Sequence, residues 1–314
     1  MITIIQLEYV VAVDKFRNFA RASEHCFVTQ PTLSMQIKKL EYELGIQIFD
    51  RSVMPVVPTE IGARFIEQAK VILSESERIE DLVKSFRNDF SGELHIGIIP
   101  TLGPYLLPLF AGDLKRHYPE VNLRIDEMVT GQIIENLKNG NLDAGILVTP
   151  YGDKKIVEHP VCYEEMFVYA HKSHPFLKNK AVQSSEIVTD DIWLLGDSHC
   201  FRTQVVNLCG IDKNRRHNLP FDLEGSSLDT LLRIINREGG FTIIPELFAN
   251  SLMESGNGSQ IRPFSDKKPL REISVCYSSQ YPKRRLIDLL IQEIQKAVPQ
   301  HTLDARRGET VMWR

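Results

Sequence analysis

The 314-residue chain lacks the short patterns that build metal, nucleotide and dinucleotide sites: it has no CxxC, no HExxH, no GxxxxGK[ST] and no GxGxxG. No cofactor or resident metal is therefore expected. No apolar run approaches the roughly 20 residues that span a bilayer. The amino terminus, Met-Ile-Thr-Ile-Ile-Gln-Leu-Glu, turns polar before a signal-peptide core could develop, so a cytoplasmic protein with no membrane partner is expected. Five cysteines, an odd number in a long chain, do not read as a secreted disulfide framework. A formal charge of −4 excludes a basic footprint over the whole molecule, so any contact with nucleic acid has to come from a local surface.

Such a surface is present near the amino terminus. Leu7, Val10 and Val11 recur at helical spacing from Ile5 to about Val13, and Phe19 to Cys26 gives a second short helix. Phe27 and Val28 separate it from a third, which Thr29 caps and Pro31 opens; Leu33, Ile37, Leu40 and Leu44 form its buried stripe and Gly45 ends it. The opposite face carries Pro31, Ser34, Met35 and Lys38, with Gln30 and Lys39 alongside. Gln30 and Ser34 can bond base edges, Met35 can meet a thymine methyl, and Lys38 and Lys39 suit phosphate. The lysines alone would read as a solvated helix face, but the short helix, tight turn and capped helix together favour a helix-turn-helix. From Thr59 to about Phe90, Ile61, Phe65, Ala69, Ile72, Ile79, Leu82, Val83 and Phe86 predict one long amphipathic helix that needs a partner.

Beyond Ser91-Gly92 strands and helices alternate, the pattern of an α/β domain. Strands are predicted at 94–99, 123–128, 145–148, 167–170, 192–195, 219–224, 241–244 and 273–277, and helices near 104–117, 133–139, 228–238 and 284–298. Within it lies the segment His199-Cys200-Phe-Arg202-Thr-Gln-Val-Val-Asn-Leu-Cys209. If that stretch is helical, its cysteine Cα atoms lie roughly 14 Å apart, against the roughly 4.4 to 6.8 Å that a disulfide spans. Bonding them would require the helix to be remodelled. His199 and Arg202 offer positive charge to Cys200 and nothing comparable flanks Cys209, an asymmetry that fits one attacking and one resolving thiol. The plainer reading is that both are core, since free cysteine is among the most buried residue types. Cys26, Cys162 and Cys276, among apolar neighbours, are read as core.

The run Phe19-Ala-Arg-Ala-Ser23, then Val28-Thr-Gln-Pro-Thr-Leu-Ser34, Ile37-Lys-Lys-Leu-Glu41, Leu44-Gly45, Phe49-Asp-Arg51 and Thr59-Glu-Ile-Gly62 resembles the LysR-type transcriptional regulators. The resemblance implies a winged helix-turn-helix over residues 1–62, a linker helix over 63–90 that pairs two subunits, and a regulatory domain over 91–314. That domain would have two Rossmann-like lobes of the periplasmic-binding-protein type, lobe I over about 91–163 and 268–303 and lobe II over about 164–267. In the family the hairpin after Arg51 is a wing with basic residues; here it reads Ser-Val-Met-Pro-Val-Val-Pro58, which leaves Arg51 as the wing contact.

Gly97-Ile-Ile-Pro100-Thr101-Leu-Gly-Pro-Tyr-Leu-Leu-Pro108, Leu194-Leu-Gly-Asp-Ser-His199-Cys200-Phe-Arg202 and Leu208-Cys209 resemble the peroxide-sensing OxyR members most closely. By that resemblance Cys200 is the peroxidatic thiol and Cys209 the resolving one, with Thr101, Thr130, His199, Arg202 and Thr203 around a peroxide pocket. Thr101 and Thr130 read equally well as a helix cap and a turn residue. Thr203 stands where many such sensors have aspartate, and Ser278 where some have an arginine, which removes a charge from the expected pocket. The partners implied are a double-stranded DNA operator, a second copy in a dimer or tetramer, RNA polymerase, hydrogen peroxide and cellular thiol reductants. Three other readings remain open: a regulator of the same family whose pocket takes a small organic effector, a thiol peroxidase, and, from the two-lobed pattern alone, a solute-binding protein. The tail beyond Leu303 matches nothing and is expected to be disordered.

Overall fold

The computed structural model describes residues 2–86, 90–187, 191–211, 221, 227–279 and 284–312, with the backbone alone at 77–78 and 80–86. The chain divides into two compact units. The first opens with α1 (Ile4–Phe16), whose start is fixed by a reciprocal capping box between Thr3 and Gln6. In α2 (Phe19–His25) the Asn18 side chain accepts from the amides of Ala20 and Arg21. The third helix, α3 (Gln30–Leu44), has Thr29 accepting from Thr32 N and ends at Gly45, whose φ of 66° is one that side chains resist. A small hairpin, β1 (Phe49–Asp50) and β2 (Val57–Pro58), precedes the long α4 (Glu60–Phe86). Val10, Val13, Ala22, Leu33, Ile37, Leu40 and Phe49 form the core between them, and Leu7 packs with Ala69 and Leu73 of α4.

One glycine here is a steric requirement. A Cβ on Gly62 would lie 1.9 Å from the Ile48 carbonyl oxygen, because the start of α4 runs directly over the residue before β1. Ile61, Ile72 and Ile79 of α4 point outward and are 48%, 40% and 66% exposed. At 100° per residue they fall on one line along the helix.

The second unit begins with β3 (Gly92–Ile98), α5 (Gly103–His117), β4 (Val121–Glu127), α6 (Thr130–Lys138) and β5 (Ala144–Thr149), with β3 central and parallel to β4 and β5. The 15-residue β6 (Ile156–Ala170) follows. Then come α7 (Cys200–Cys209), α8 (Leu228–Glu238), β7 (Phe241–Pro245), α9 (Glu246–Glu254), β8 (Ile261–Arg262), β9 (Pro269–Ser278), α10 (Arg284–Ala297) and a short β10 (Glu309–Thr310). The sheet runs β4-β3-β5-β9-β6-β7. Its first half of β6 pairs antiparallel with β9, from Ile156↔Ser278 to Glu165↔Leu270, and its second half pairs with β7, from Met166↔Pro245 to Ala170↔Phe241. So β6 and β9 carry the chain between two cores. Ile96, Ile98, Phe110, Ile133, Val148 and Leu290 belong to the first, and Val168, Trp193, Phe201, Leu231, Ile243 and Phe248 to the second.

Two expectations change and a third lies outside the described residues. The apolar run Ile192–Leu195, read as a strand, makes only one isolated bridge, Ile192 to Phe241. It is buried because Trp193 N donates to Phe241 O at 2.8 Å and the Thr242 hydroxyl donates to Trp193 O at 2.7 Å, which satisfies the backbone without a ladder. The strand expected at 219–224 lies outside the described residues apart from Phe221. From Asp304 to Met312 the tail is ordered: β10 pairs in parallel with β9, and Arg307 reaches Glu165 at 3.3 Å and Glu246 at 2.5 Å. Its charged sequence reads as a solvated tail because those carboxylates come from distant strands and helices.

Candidate functional site

The stretch between the two cysteines is helical, and they are its first and last residues. Nine steps of about 1.5 Å separate their Cα atoms by roughly 14 Å, twice what a disulfide bridges. Both thiols are free. Although they share a helix, Cys200 is counted in the first core while Cys209 packs against the second.

Cys200 opens α7, and the amides of Cys200 and Phe201 at the helix start pull its pKa down. Burial acts the other way and is the larger effect, so the resting thiol stays above the ordinary value. The groups opposing burial are the Thr130 hydroxyl and the Arg271 guanidinium. Thr130 is the first residue of α6, and its buried hydroxyl has no partner in hydrogen-bond geometry. Thr101 does not cap α5; its hydroxyl accepts from Arg271 Nη1 and its carbonyl from Arg271 Nη2, both at 3.1 Å. Cys200, His199, Thr101, Thr130, Ile99 and Phe201 line one narrow crevice that at no point seats a water-sized sphere.

Arg271 was not expected here. It is fully buried on β9, donates from Nε to Glu164 Oε2 at 2.6 Å, and lies 5.2 Å over the Phe201 ring. Glu164, equally buried, also accepts from Leu247 N at 2.9 Å; burial raises its pKa and Arg271 opposes that rise. The signal in the sequence was an arginine inside Pro-Leu-Arg271-Glu-Ile-Ser-Val-Cys-Tyr, otherwise a buried strand, which obliges a buried carboxylate partner.

The flanking charges behave differently from the sequence reading. Burial lowers the His199 pKa, which favours the neutral ring. Arg202 bonds Asp197 at 2.7 Å and the Leu195 carbonyl at 2.9 Å, fastening the turn before α7. Thr203 is half-buried and outside the crevice lining. Ser278 sits opposite Ile156, seven residues along β9 from Arg271, or about 23 Å at the strand rise, so the serine there takes no charge from the crevice. Cys209 is half-buried and burial pushes its thiol to about 12, with Lys267 pulling downward. Cys162 and Cys276 are buried, and burial raises both thiols.

On the first unit, Thr29, Gln30, Pro31, Met35, Lys38 and Lys39 are exposed along one side of α3 and Ser34 is half-buried. Arg51 is engaged: it bonds Glu41 at 2.8 Å and lies 4.9 Å over the Phe19 ring. A phosphate contact from Arg51 has to compete with that carboxylate. Among the described residues no group of three or more His, Cys, Asp or Glu side chains could hold a metal, and no helix is long and apolar enough to cross a membrane.

Comparison with known proteins accounts for both units. Residues 4–63 match the bacterial regulatory helix-turn-helix proteins of the lysR family, and residues 87–299 match the LysR substrate binding domain. The chain is 31% identical over 294 residues to a hydrogen peroxide-inducible genes activator of Haemophilus influenzae, covering 93% of this chain and 96% of that one. It is 32% identical over 298 residues to the DNA-binding transcriptional dual regulator OxyR of Escherichia coli, covering 94% and 95%. Among solved structures, a full-length OxyR variant from Pseudomonas aeruginosa superposes with a TM-score of 0.78 at 31% identity, over 95% of this chain and 99% of that one. A Corynebacterium glutamicum OxyR variant with hydrogen peroxide bound gives 0.61 at 26% identity, over 94% and 92%.

Proposed function

Because the chain belongs to the LysR family of transcriptional regulators, which are not enzymes, we propose that hydrogen peroxide sets it through a reversible Cys200–Cys209 disulfide and that it thereby controls antioxidant genes. The observation that carries this reading is the crevice. It joins a thiol at a helix start, a buried hydroxyl on Thr130 without a partner, and a Thr101 hydroxyl whose acceptor side is taken by Arg271. The lining is closed even to a water-sized sphere, so a small peroxide would enter only with a side-chain shift, and an organic effector would require the lining to separate much further.

In the proposed reaction the Cys200 thiolate attacks one peroxide oxygen, the O–O bond breaks, and the departing oxygen takes protons to leave as water. Thr101 and Thr130 orient the peroxide, and the neutral His199 ring hydrogen-bonds the leaving oxygen. Cys209 then attacks the sulfenic sulfur, the S–O bond breaks, and a second water leaves as the disulfide closes. Two thiols are thus oxidised and one peroxide reduced to two waters; a cellular dithiol restores the pair by exchange. Since α7 holds the sulfurs too far apart, closing the bond unwinds it, and the change in the second unit is passed to paired DNA-binding units. Ile61, Ile72 and Ile79 are the face on which two copies would pair, as a dimer or within a tetramer, so that two α3 helices read two half-sites and RNA polymerase is engaged at the promoter. The DNA contacts assigned are Gln30, Ser34 and Met35 to base edges and Lys38 and Lys39 to phosphates, with Thr29 and Pro31 at the helix start and Arg51 at the wing beside the same duplex. Footprinting on the DNA upstream of the protein's own gene, reduced and after peroxide, tests this reading. A changed footprint that Cys200→Ser abolishes is expected, and identical footprints in both states would refute it.

A further inference from the structure

The carboxyl-terminal tail lies on the redox helix. Gln204 of α7, fully buried, donates from Nε2 to the Val311 carbonyl at 2.9 Å, and one turn on Asn207 donates from Nδ2 to the Met312 carbonyl at 2.9 Å. The tail reaches α7 by a fixed route. Arg307 is held by Glu165 and Glu246, β10 adds to the edge of β9 at Glu309↔Pro269 and Thr310↔Leu270, and Val311 N donates to Leu270 O at 2.7 Å. Gly308 passes so close to β9 that a Cβ there would lie 2.2 Å from the Lys268 carbonyl oxygen. Beside it, Lys267 Nζ donates to the Leu208 carbonyl at 3.3 Å, one of the last-turn acceptors that the helix leaves open. Val311 packs on the second core, as Cys209 does.

We infer that residues 308–312 are a strap that holds α7 in its helical, reduced form and must come off before Cys209 can reach Cys200. The physical argument is one of register. Gln204 and Asn207 are three residues apart and bond successive tail carbonyls, which is possible only while one face of α7 is presented as a helix. Bringing the sulfurs from roughly 14 Å to bonding distance destroys that spacing, so both tail bonds break in the step that closes the disulfide. The strap therefore sets how readily α7 opens. It rests on the disulfide reading for its function, but its hold on α7 is a property of the reduced protein alone.

The test uses the full chain and two variants, one lacking residues 308–314 and the other Gln204→Leu, which removes the donor while keeping a side chain of similar size. In reduced protein, amide exchange across 200–209 and alkylation of Cys209 by iodoacetamide should both quicken, by about three- to tenfold for each tail bond removed. Unchanged exchange and alkylation in both variants would overturn the strap. In peroxide-treated full chain, residues 309–312 should lose their protection. A peptide map showing the disulfide closed with the tail still protected would also overturn it. If instead no disulfide forms, the functional reading fails, and the reduced-state arm still decides whether the tail holds α7.

Discussion

Replacing Arg271 with methionine separates the structural and chemical duties of the crevice. Arg271 and Glu164 are both fully buried, and the guanidinium also holds Thr101 at two points. Removing one partner of such a pair leaves an uncompensated carboxylate, at a cost of about 3–5 kcal/mol. Urea unfolding followed by the fluorescence of the buried Trp193 should show this loss. Glu164→Leu combined with Arg271→Met should restore most of it, because apolar replacement of a whole buried pair is close to neutral. The pH dependence has a definite sign. Burial raises the Glu164 pKa, so its contribution to stability is full below the unfolded value and is lost as pH rises through the folded one. Without Arg271 the folded value climbs further, and the deficit of Arg271→Met relative to wild type should be small near the unfolded carboxylate range and full at neutral pH. The chemical effect is read in the double variant, which keeps the fold. Arg271 is one of the groups that hold the Cys200 pKa down against burial, so its loss should lower the thiolate population and slow peroxide oxidation. A double variant that folds and oxidises at the wild-type rate would refute this account of the thiol.

Lys38→Ala should weaken DNA binding by a similar factor on all sequences and reduce the salt slope by about one, as a titration at several ionic strengths would show. Arg51→Ala should lower the melting temperature of the reduced protein as well as its affinity, because Arg51 also binds Glu41 and covers Phe19. Gly62→Ala should destabilise the DNA-binding unit by on the order of 1–3 kcal/mol, since its Cβ meets backbone rather than a movable side chain, and denaturant titration measures it. His199 is buried with a lowered pKa, so its stabilising contribution is present above the unfolded value and is lost as pH falls through the folded one. His199→Gln should therefore flatten the decline in melting temperature on acidification; an unaltered decline would contradict that assignment.

How far the sequence was legible depended on how local the cause was. The helix-turn-helix could be read because its signals, Thr29 as a cap, Gly45 as a stop and the Leu33-Ile37-Leu40 stripe, lie within a few residues of what they control. The cysteine spacing could be read for the same reason, although the α7 helix entered there only as a condition. Arg271 was missed, since its significance depends on Glu164, brought beside it by the pairing of β6 with β9, and on Thr101 in the turn between β3 and α5. Arg202 illustrates the converse: close to Cys200 in sequence, it turns to Asp197 and Leu195. The tail beyond Leu303 was opaque because the order of its charged residues comes from Glu165, Glu246 and the edge of β9, none of which its own composition reveals.

The most direct test of the central claim is a peptide map of the full chain after a small excess of hydrogen peroxide, with remaining thiols blocked before digestion. A linked peptide joining Cys200 to Cys209, absent in Cys209→Ser and reversed by a dithiol, is the predicted result. Both cysteines recovered fully blocked, in protein whose DNA footprint nevertheless changes with peroxide, would contradict it.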